Sequence, residues 1–524
     1  MKNEWKSAGF LVAILSLAFV ILLIIPIFGV LLRFNIENAI LMIQRTDFVP
    51  VFFQSVVLSL CVSAISVSIA LIVSFLIREQ STSMQKFLIM CFTMPILIPT
   101  ISMGMGIMHL FSRNGLVYQL LGLRVNIFGF NGLLLGMVLN IAPLAILQIY
   151  DVLRYEDKHL HDEAKALRLD AASRMYILSL PRVKSAIKRA FFATFLFSFT
   201  DFGINLMVGG RFRTLSITLY QEIIGRMNFD RAAAISISMW IPLIILYFFC
   251  MRKSIYTFGH NVKGTTSSLY LKNRGKVISC VILIVAALVF LLPITTFILS
   301  SLRPTDAHNP DIWQNYRALF QSNLTRYLRN SLIIAVSVSA FGTIFSCLTA
   351  YVTSKVNILP SRVMKLIATI PFSVPGLLIG LGFVISYISL SNLFNTFVPM
   401  IGAILINFFG IPYFMFLNNF SLMSNEIEIS AKVFRISRFN TFLRVYLPQM
   451  KQTIAESMMF YFVNSMITIS TVVVLFRART MPLSILITQF EGQLMIFRAA
   501  AATTIIVFIN IIVKLAFYLL NRRS

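Results

Sequence analysis

The chain has 524 residues, of which 58% are hydrophobic and only 12% charged. A soluble domain usually carries about a quarter charged residues, so the polar side chains here are too few to cover a water-soluble globule of this size. The net charge is +26, from 45 Lys and Arg against 19 Asp and Glu. In a soluble protein that excess would suggest nucleic acid. No module here interleaves basic and aromatic residues for that purpose, and the charge is expected in loops beside anionic lipid.

A membrane span takes about 20 apolar residues. The first candidate covers residues 8–32, behind Met1 to Lys6, and is too long for a signal-peptide core. It is followed by candidates at 51–77, 87–111, 130–153, 190–209 and 232–250. The stretch 251–276 then holds Arg252, Lys253, Lys263, Lys272, Arg274 and Lys276 with no acid. It is expected to be a cytoplasmic linker. Six further candidates follow at 277–300, 328–353, 363–390, 397–421, 453–476 and 499–519. The prediction is an all-α polytopic membrane protein of about twelve helices in two parallel six-helix repeats, 1–250 and 277–524, with both termini cytoplasmic. Arg522 and Arg523 in the tail and the basic loops at 78–86 and 354–365 agree with that orientation. Cys61, Cys91, Cys250, Cys280 and Cys347 all lie in or beside apolar runs and read as small hydrophobes, without metal-ligand spacing.

The halves repeat each other in detail. Pro95 and Pro99 match Pro371 and Pro375, Gly104 and Gly106 match Gly380 and Gly382, and Ser55 matches Ser331, all at an offset of 276. Further on the offset is 267, so that Asn140 matches Asn407 and Leu180-Pro181 matches Leu447-Pro448. Two halves of equal topology imply an axis along the membrane normal and a pathway at their interface.

Two long polar loops carry the functional signal, at about 154–189 and 422–452. The first contains Asp162, Glu163, Ala164, Leu167 and Arg168, and the second Glu428, Ala431, Phe434 and Arg435. Each has apolar residues at helical spacing beside basic ones, and each ends in Leu-Pro, at Leu180-Pro181 and Leu447-Pro448. This pattern predicts a short amphipathic helix at the membrane surface whose apolar face needs a groove on a partner.

These loops resemble the Glu-Ala-Ala loop of permeases in binding-protein-dependent ATP-binding-cassette importers. Asp162-Glu163-Ala164, Leu167, Leu180 and Pro181 match that pattern in the first half, and Ala431, Phe434, Val445, Leu447 and Pro448 in the second. Arg168 and Arg435 stand where the family usually has Gly, and Ile429 stands at the Glu position with Glu428 beside it. The resemblance implies a fused permease in the bacterial inner membrane. Its two coupling helices would dock on a separate ATP-binding subunit, acting as a homodimer, and a periplasmic or lipid-anchored binding protein would deliver a small solute. The chain lacks the Gly-x-x-x-x-Gly-Lys-[Ser/Thr] phosphate cradle. It is therefore expected not to be an enzyme and to need no cofactor or metal, with ATP hydrolysis on the separate subunit. In length it is similar to fused permeases of iron(III), thiamine and phosphonate importers, and residues 461–471 are similar to a segment of the 2-aminoethylphosphonate and iron(III) permeases, a resemblance that implies 2-aminoethylphosphonate first and iron(III) second as the substrate.

Within the fifth candidate span lies Asp201, with Asn205 one turn on. A carboxylate in hydrocarbon is costly, so it should face the bundle interior or water. Asp201 and Asn205 are expected on one wall of the pathway, and Asn464, Thr468 and Thr471 on the other. His109 is expected at an interface, and Arg211, Arg213, Arg226 and Arg231 in a solvated external loop. A secondary carrier with two six-span halves is the competing reading, and the paired polar loops argue against it.

Overall fold

The computed structural model describes residues 2–523 other than 46, 113–114, 124, 155, 157, 252–269, 271–272, 305–310, 357–358, 391 and 425. Most of the linker expected at 251–276 therefore lies outside the described residues. Among the described residues the regular structure is all helical.

In the first half, α1 is Gly9–Leu32, α2 Phe48–Arg78, α3 Thr82–Thr93, α4 Thr100–Phe111 and α5 Phe130–Arg154. They are followed by α6 Lys158–Ala166, α7 Leu180–Thr200, α8 Gly203–Val208, α9 Leu215–Tyr220 and α10 Phe229–Met251. The second half opens with α11 Asn273–Ser301, α12 Leu324–Lys355, α13 Leu359–Ile367, α14 Gly376–Tyr387 and α15 Val398–Asn407. It closes with α16 Gly410–Leu422, α17 Glu426–Val433, α18 Lys451–Ile467, α19 Leu483–Gly492 and α20 Ile496–Arg523.

Among the described residues, seven helices are long and apolar enough to cross a membrane, and the total reaches ten if each of three bent pairs counts as one span. The all-α polytopic architecture is as expected, and the expected number of about twelve is not confirmed by this measure. The fifth and eleventh candidates fail because their helices stop inside the apolar run. In the fifth, α7 ends at Thr200 and Asp201 turns extended (φ −67°, ψ 131°). In the eleventh, α18 ends at Ile467 and Thr468 does the same (φ −67°, ψ 136°). The third and ninth candidates bend by 102° and 110°. Their Pro-x-x-x-Pro motifs account for the bends. Each first proline opens a one-turn 3₁₀ segment, and the residue before each second proline, Ile98 or Val374, is extended. Proline disfavours helical backbone in the residue before it and has no N–H to offer the preceding turn.

Within each half, the second span packs on helices of its own half: α2 against α5 and α7, and α12 against α16 and α18. The first span of each half crosses over. Helix α1 packs on α14 of the second half, and α11 packs on α4 of the first. Glycines set both crossings. A Cβ at Gly106 would lie 2.2 Å from the Pro293 carbonyl oxygen, and one at Gly382 would lie 2.5 Å from that of Pro26. The Thr296 hydroxyl donates to the Gly106 carbonyl across the first crossing (2.9 Å), and the Ser386 hydroxyl to that of Ile25 across the second (3.1 Å). The repeated glycines are close-approach points between the halves.

Candidate substrate pocket and docking helices

The two breaks described above face each other. A cavity of about 200 Å³ opens between the halves, lined in the first by Thr100, Asn140, Thr200 and Asp201 and in the second by Asn407, Asn464, Thr468 and Ser470. Its remaining lining is apolar, including Phe197, Phe372 and Phe460. Asp201 is the one ionisable side chain among the described residues that line it. Polar groups around a single carboxylate, in an otherwise apolar pocket, suit a small solute carrying positive charge.

The same hydrogen bonds build both walls. The Ser216 hydroxyl donates to the Asp201 carbonyl (2.6 Å), and the Ser484 hydroxyl to the Thr468 carbonyl (3.0 Å). The Leu215 N–H donates to Ser55 Oγ, and the Leu483 N–H to Ser331 Oγ, both at 2.8 Å. The Ile204 N–H donates to Asp201 Oδ2 at 3.0 Å, so the carboxylate caps α8 while it faces the cavity. Of the five pathway residues expected, Asp201, Asn464 and Thr468 line the cavity. Asn205 and Thr471 do not. Asn205 is buried and donates to the Asp201 carbonyl, and Thr471 is fully buried against Gly376.

Two acids passed over in the sequence also come together. Asp151 on α5 lies within electrostatic reach of Glu456 on α18, in the opposite half, and Arg154 acts on both. Their only sequence signal is a carboxylate near the end of an apolar run. His109 lies away from the cavity, its ring stacked on Phe497 at 6.2 Å. Arg226 pairs with the buried Glu222.

The polar loops hold short helices, as their spacing predicts. Asp162, Glu163 and Leu167 are exposed at α6, while Ala164 is buried beneath it. Ile429, Val433 and Phe434 are exposed on α17 and its end, and Glu428 and Ala431 are half-buried. Leu167 and Phe434 are each 75% exposed, an apolar display that a soluble partner or headgroup region would cover. Arg168 and Arg435 end these helices in the left-handed region, at φ 59° and 55°. The Leu169 N–H returns to the Ala164 carbonyl (3.0 Å), and the Ile436 N–H to the Ala431 carbonyl (2.8 Å). This is the closure that usually takes glycine. One π-helical turn, Met175–Ser179 or Phe442–Tyr446, then leads into each Leu-Pro pair, with Leu180 and Leu447 half-buried and Pro181 and Pro448 exposed.

These features define a class: a multi-pass, all-α membrane protein of two repeated halves, with a pocket between them and a surface helix on each. Residues 342–524 match the family described as "Binding-protein-dependent transport system inner membrane component". The chain resembles the fused permeases of iron and thiamine transport. It is 21% identical over 408 residues to a ferric transport system permease protein of Actinobacillus pleuropneumoniae, covering 74% of this chain and 59% of that one. It is 22% identical over 465 residues to an Fe(3+)-transport system permease protein of Haemophilus influenzae, covering 85% of each. It is 22% identical over 248 residues to a thiamine transport system permease protein of Haemophilus influenzae, covering 44% of this chain and 45% of that one. The chain spans about three-fifths of the length of the Actinobacillus protein, and 64% of another Haemophilus influenzae relative.

Proposed function

We propose that this chain is the transmembrane subunit of an ATP-binding-cassette importer in a bacterial inner membrane, with its termini and both docking helices cytoplasmic. A pair of separate ATP-binding subunits grips α6 and α17. Their closure on ATP rocks the two halves and opens the central cavity to one side and then the other. An external binding protein delivers the solute. Helices α6 and α17 form the coupling surface, with Asp162, Glu163, Leu167, Arg168 and Pro181 exposed in one loop and Phe434, Arg435 and Pro448 in the other, backed by Ala164, Leu180, Glu428, Ala431 and Leu447. Asp201, Asn464 and Thr468 line the path, and Asn205 and Thr471 hold its walls in place.

The observation that carries this reading is the pair of surface helices, each displaying apolar residues and each closed by the same left-handed turn. The cavity adds the substrate class. Its single carboxylate favours a cation such as iron(III) over 2-aminoethylphosphonate, whose ammonium could pair with Asp201 but whose phosphonate would find no basic side chain in the described lining.

Uptake of labelled iron(III) and 2-aminoethylphosphonate, with and without this chain and with Leu167→Asp or Phe434→Asp, tests the proposal. Iron uptake that needs the chain, and is lost in both docking variants, supports it. Uptake that survives both variants and ATP depletion would instead make the protein an ion-gradient carrier.

A further inference from the structure

Beneath the first docking helix lies a buried ion-pair cluster. Arg78, the last residue of α2, places Nη1 2.7 Å from Glu156 Oε2, and the two side chains are 3% and 1% exposed. His161 on α6 approaches the same oxygen at 3.3 Å. The cluster closes on an aromatic ring that belongs to neither element. Tyr270, between the halves, has its ring 5.7 Å from the Arg78 guanidinium, 5.5 Å from that of Arg174 and edge-on to His161 at 5.3 Å. Its phenol shares a 2.6 Å hydrogen bond with Ser179, and its N–H donates to Glu79 Oε2 at 3.0 Å.

The second half reaches the same arrangement with its own residues. The repeat mate of Ser179, 267 positions on, is Tyr446. Tyr446 is fully buried, and Lys355 at the end of α12 lies 6.0 Å from its ring. Lys355 Nζ also donates to the carbonyl of Met423, the mate of Glu156, at 3.0 Å. Glu428, the mate of His161, acts electrostatically on both Lys355 and Tyr446. Each half therefore sets a cation against a phenol under its docking helix. In the second half the phenol is part of the docking loop. In the first half the loop has only a serine there, and the ring comes from the connecting segment.

We infer that Tyr270 is a positioning residue for the first docking helix, a ring lent by the connection between the halves to do at Ser179 what Tyr446 does in the second half. The inference rests on the docking role proposed for α6. Through Arg78, Glu156, His161 and Tyr270, the end of α2, the end of α5, helix α6 and the connecting segment share one buried network. Such a network holds as a unit, because removing one member leaves buried charge without its partners. A push on α6 thus reaches α2 directly. Tyr270 also pins the far end of the connecting segment to the first half, next to where α11 begins.

The test uses the full chain reconstituted in liposomes with its ATP-binding subunit and a binding protein loaded with labelled iron(III), and measures iron(III) transported per ATP hydrolysed. Tyr270→Ala should lower that ratio about tenfold, the scale of a lost buried cation–π pair and its hydrogen bond, while ATP hydrolysis persists. Tyr270→Phe, which keeps the ring, should retain most of the coupling. Ser179→Tyr added to Tyr270→Ala writes the second-half arrangement into the first and should restore the ratio. Normal coupling in Tyr270→Ala overturns the inference, as does a Phe variant as impaired as the Ala variant. Leu167→Asp on the exposed end of α6 separates the two levels. If it leaves ATP-subunit binding and coupling intact, the docking role itself fails. If it abolishes them while Tyr270→Ala is silent, only the role of Tyr270 falls.

Discussion

Arg168 and Arg435, 267 positions apart, hold the same left-handed backbone just past the ends of α6 and α17. An L-residue pays about 1–2 kcal/mol for that conformation, part of which glycine loses again through its freedom in the unfolded chain. Arg168→Gly and Arg435→Gly should each stabilise the protein by about 0.5–1 kcal/mol. Thermal unfolding in detergent measures this. A lower midpoint in both variants would show that the arginines contribute contacts worth more than the strain.

Gly106 and Gly382 meet backbone carbonyls of Pro293 and Pro26 at distances no Cβ tolerates. Gly106→Ala or Gly382→Ala must push two helices of different halves apart, at a cost of about 1–3 kcal/mol or more. Gly492→Ala, where nothing lies within 4 Å of a Cβ, is the control and should be near neutral. Comparing detergent-solubilised midpoints of the three variants decides the point.

Asp201→Asn keeps an acceptor for the Ile204 N–H and removes only the charge. Assembly should survive, while uptake of a cationic solute falls by about tenfold, the effect of deleting one close opposite charge in a partly solvated site. Thr468→Asp in that background should recover part of the uptake, because it returns a carboxylate to the opposite wall. Unchanged uptake in Asp201→Asn would leave the carboxylate only its role as a helix cap.

Burial, and next the Arg78 and Arg174 charges, hold the His161 imidazole below its ordinary value, against the pull of Glu156. The folded protein therefore binds this proton less readily than the unfolded chain does. His161 contributes its full stability above the unfolded value of about 6.5, and that contribution is lost as pH falls toward the lower folded value. Between pH 7.5 and 5.5 the melting midpoint should drop more in the natural chain than in His161→Gln. Equal drops would place the acid sensitivity elsewhere.

The apolar runs and the two polar loops were legible because each depends on local composition, and the repeat was legible because the same residues recur at fixed offsets. The helix breaks at Asp201 and Thr468 were not, because hydropathy measures how apolar a segment is and says nothing of its direction. The Pro-x-x-x-Pro pairs stood out as a repeat, yet proline in a span is compatible with a mild kink as well as with the observed right-angle bends. Arg168 and Arg435 read as departures at a glycine position, and the geometry there is the one glycine serves. The Tyr270 contacts had no sequence signal. They depend on a ring from one part of the chain entering a gap left by a serine in another, and only the folded repeat makes Ser179 and Tyr446 comparable.

The unequal pair Asp201 and Thr468 bears on why two halves share one polypeptide. A pathway assembled from two copies of a single six-helix chain would carry either a carboxylate on both walls or none. Two halves joined in one chain can differ at this position, with Asp201 in the first and Thr468 in the second. The central cavity therefore has a carboxylate on one wall and a hydroxyl at the matching place on the other, so its two sides differ in chemistry although the halves share one plan.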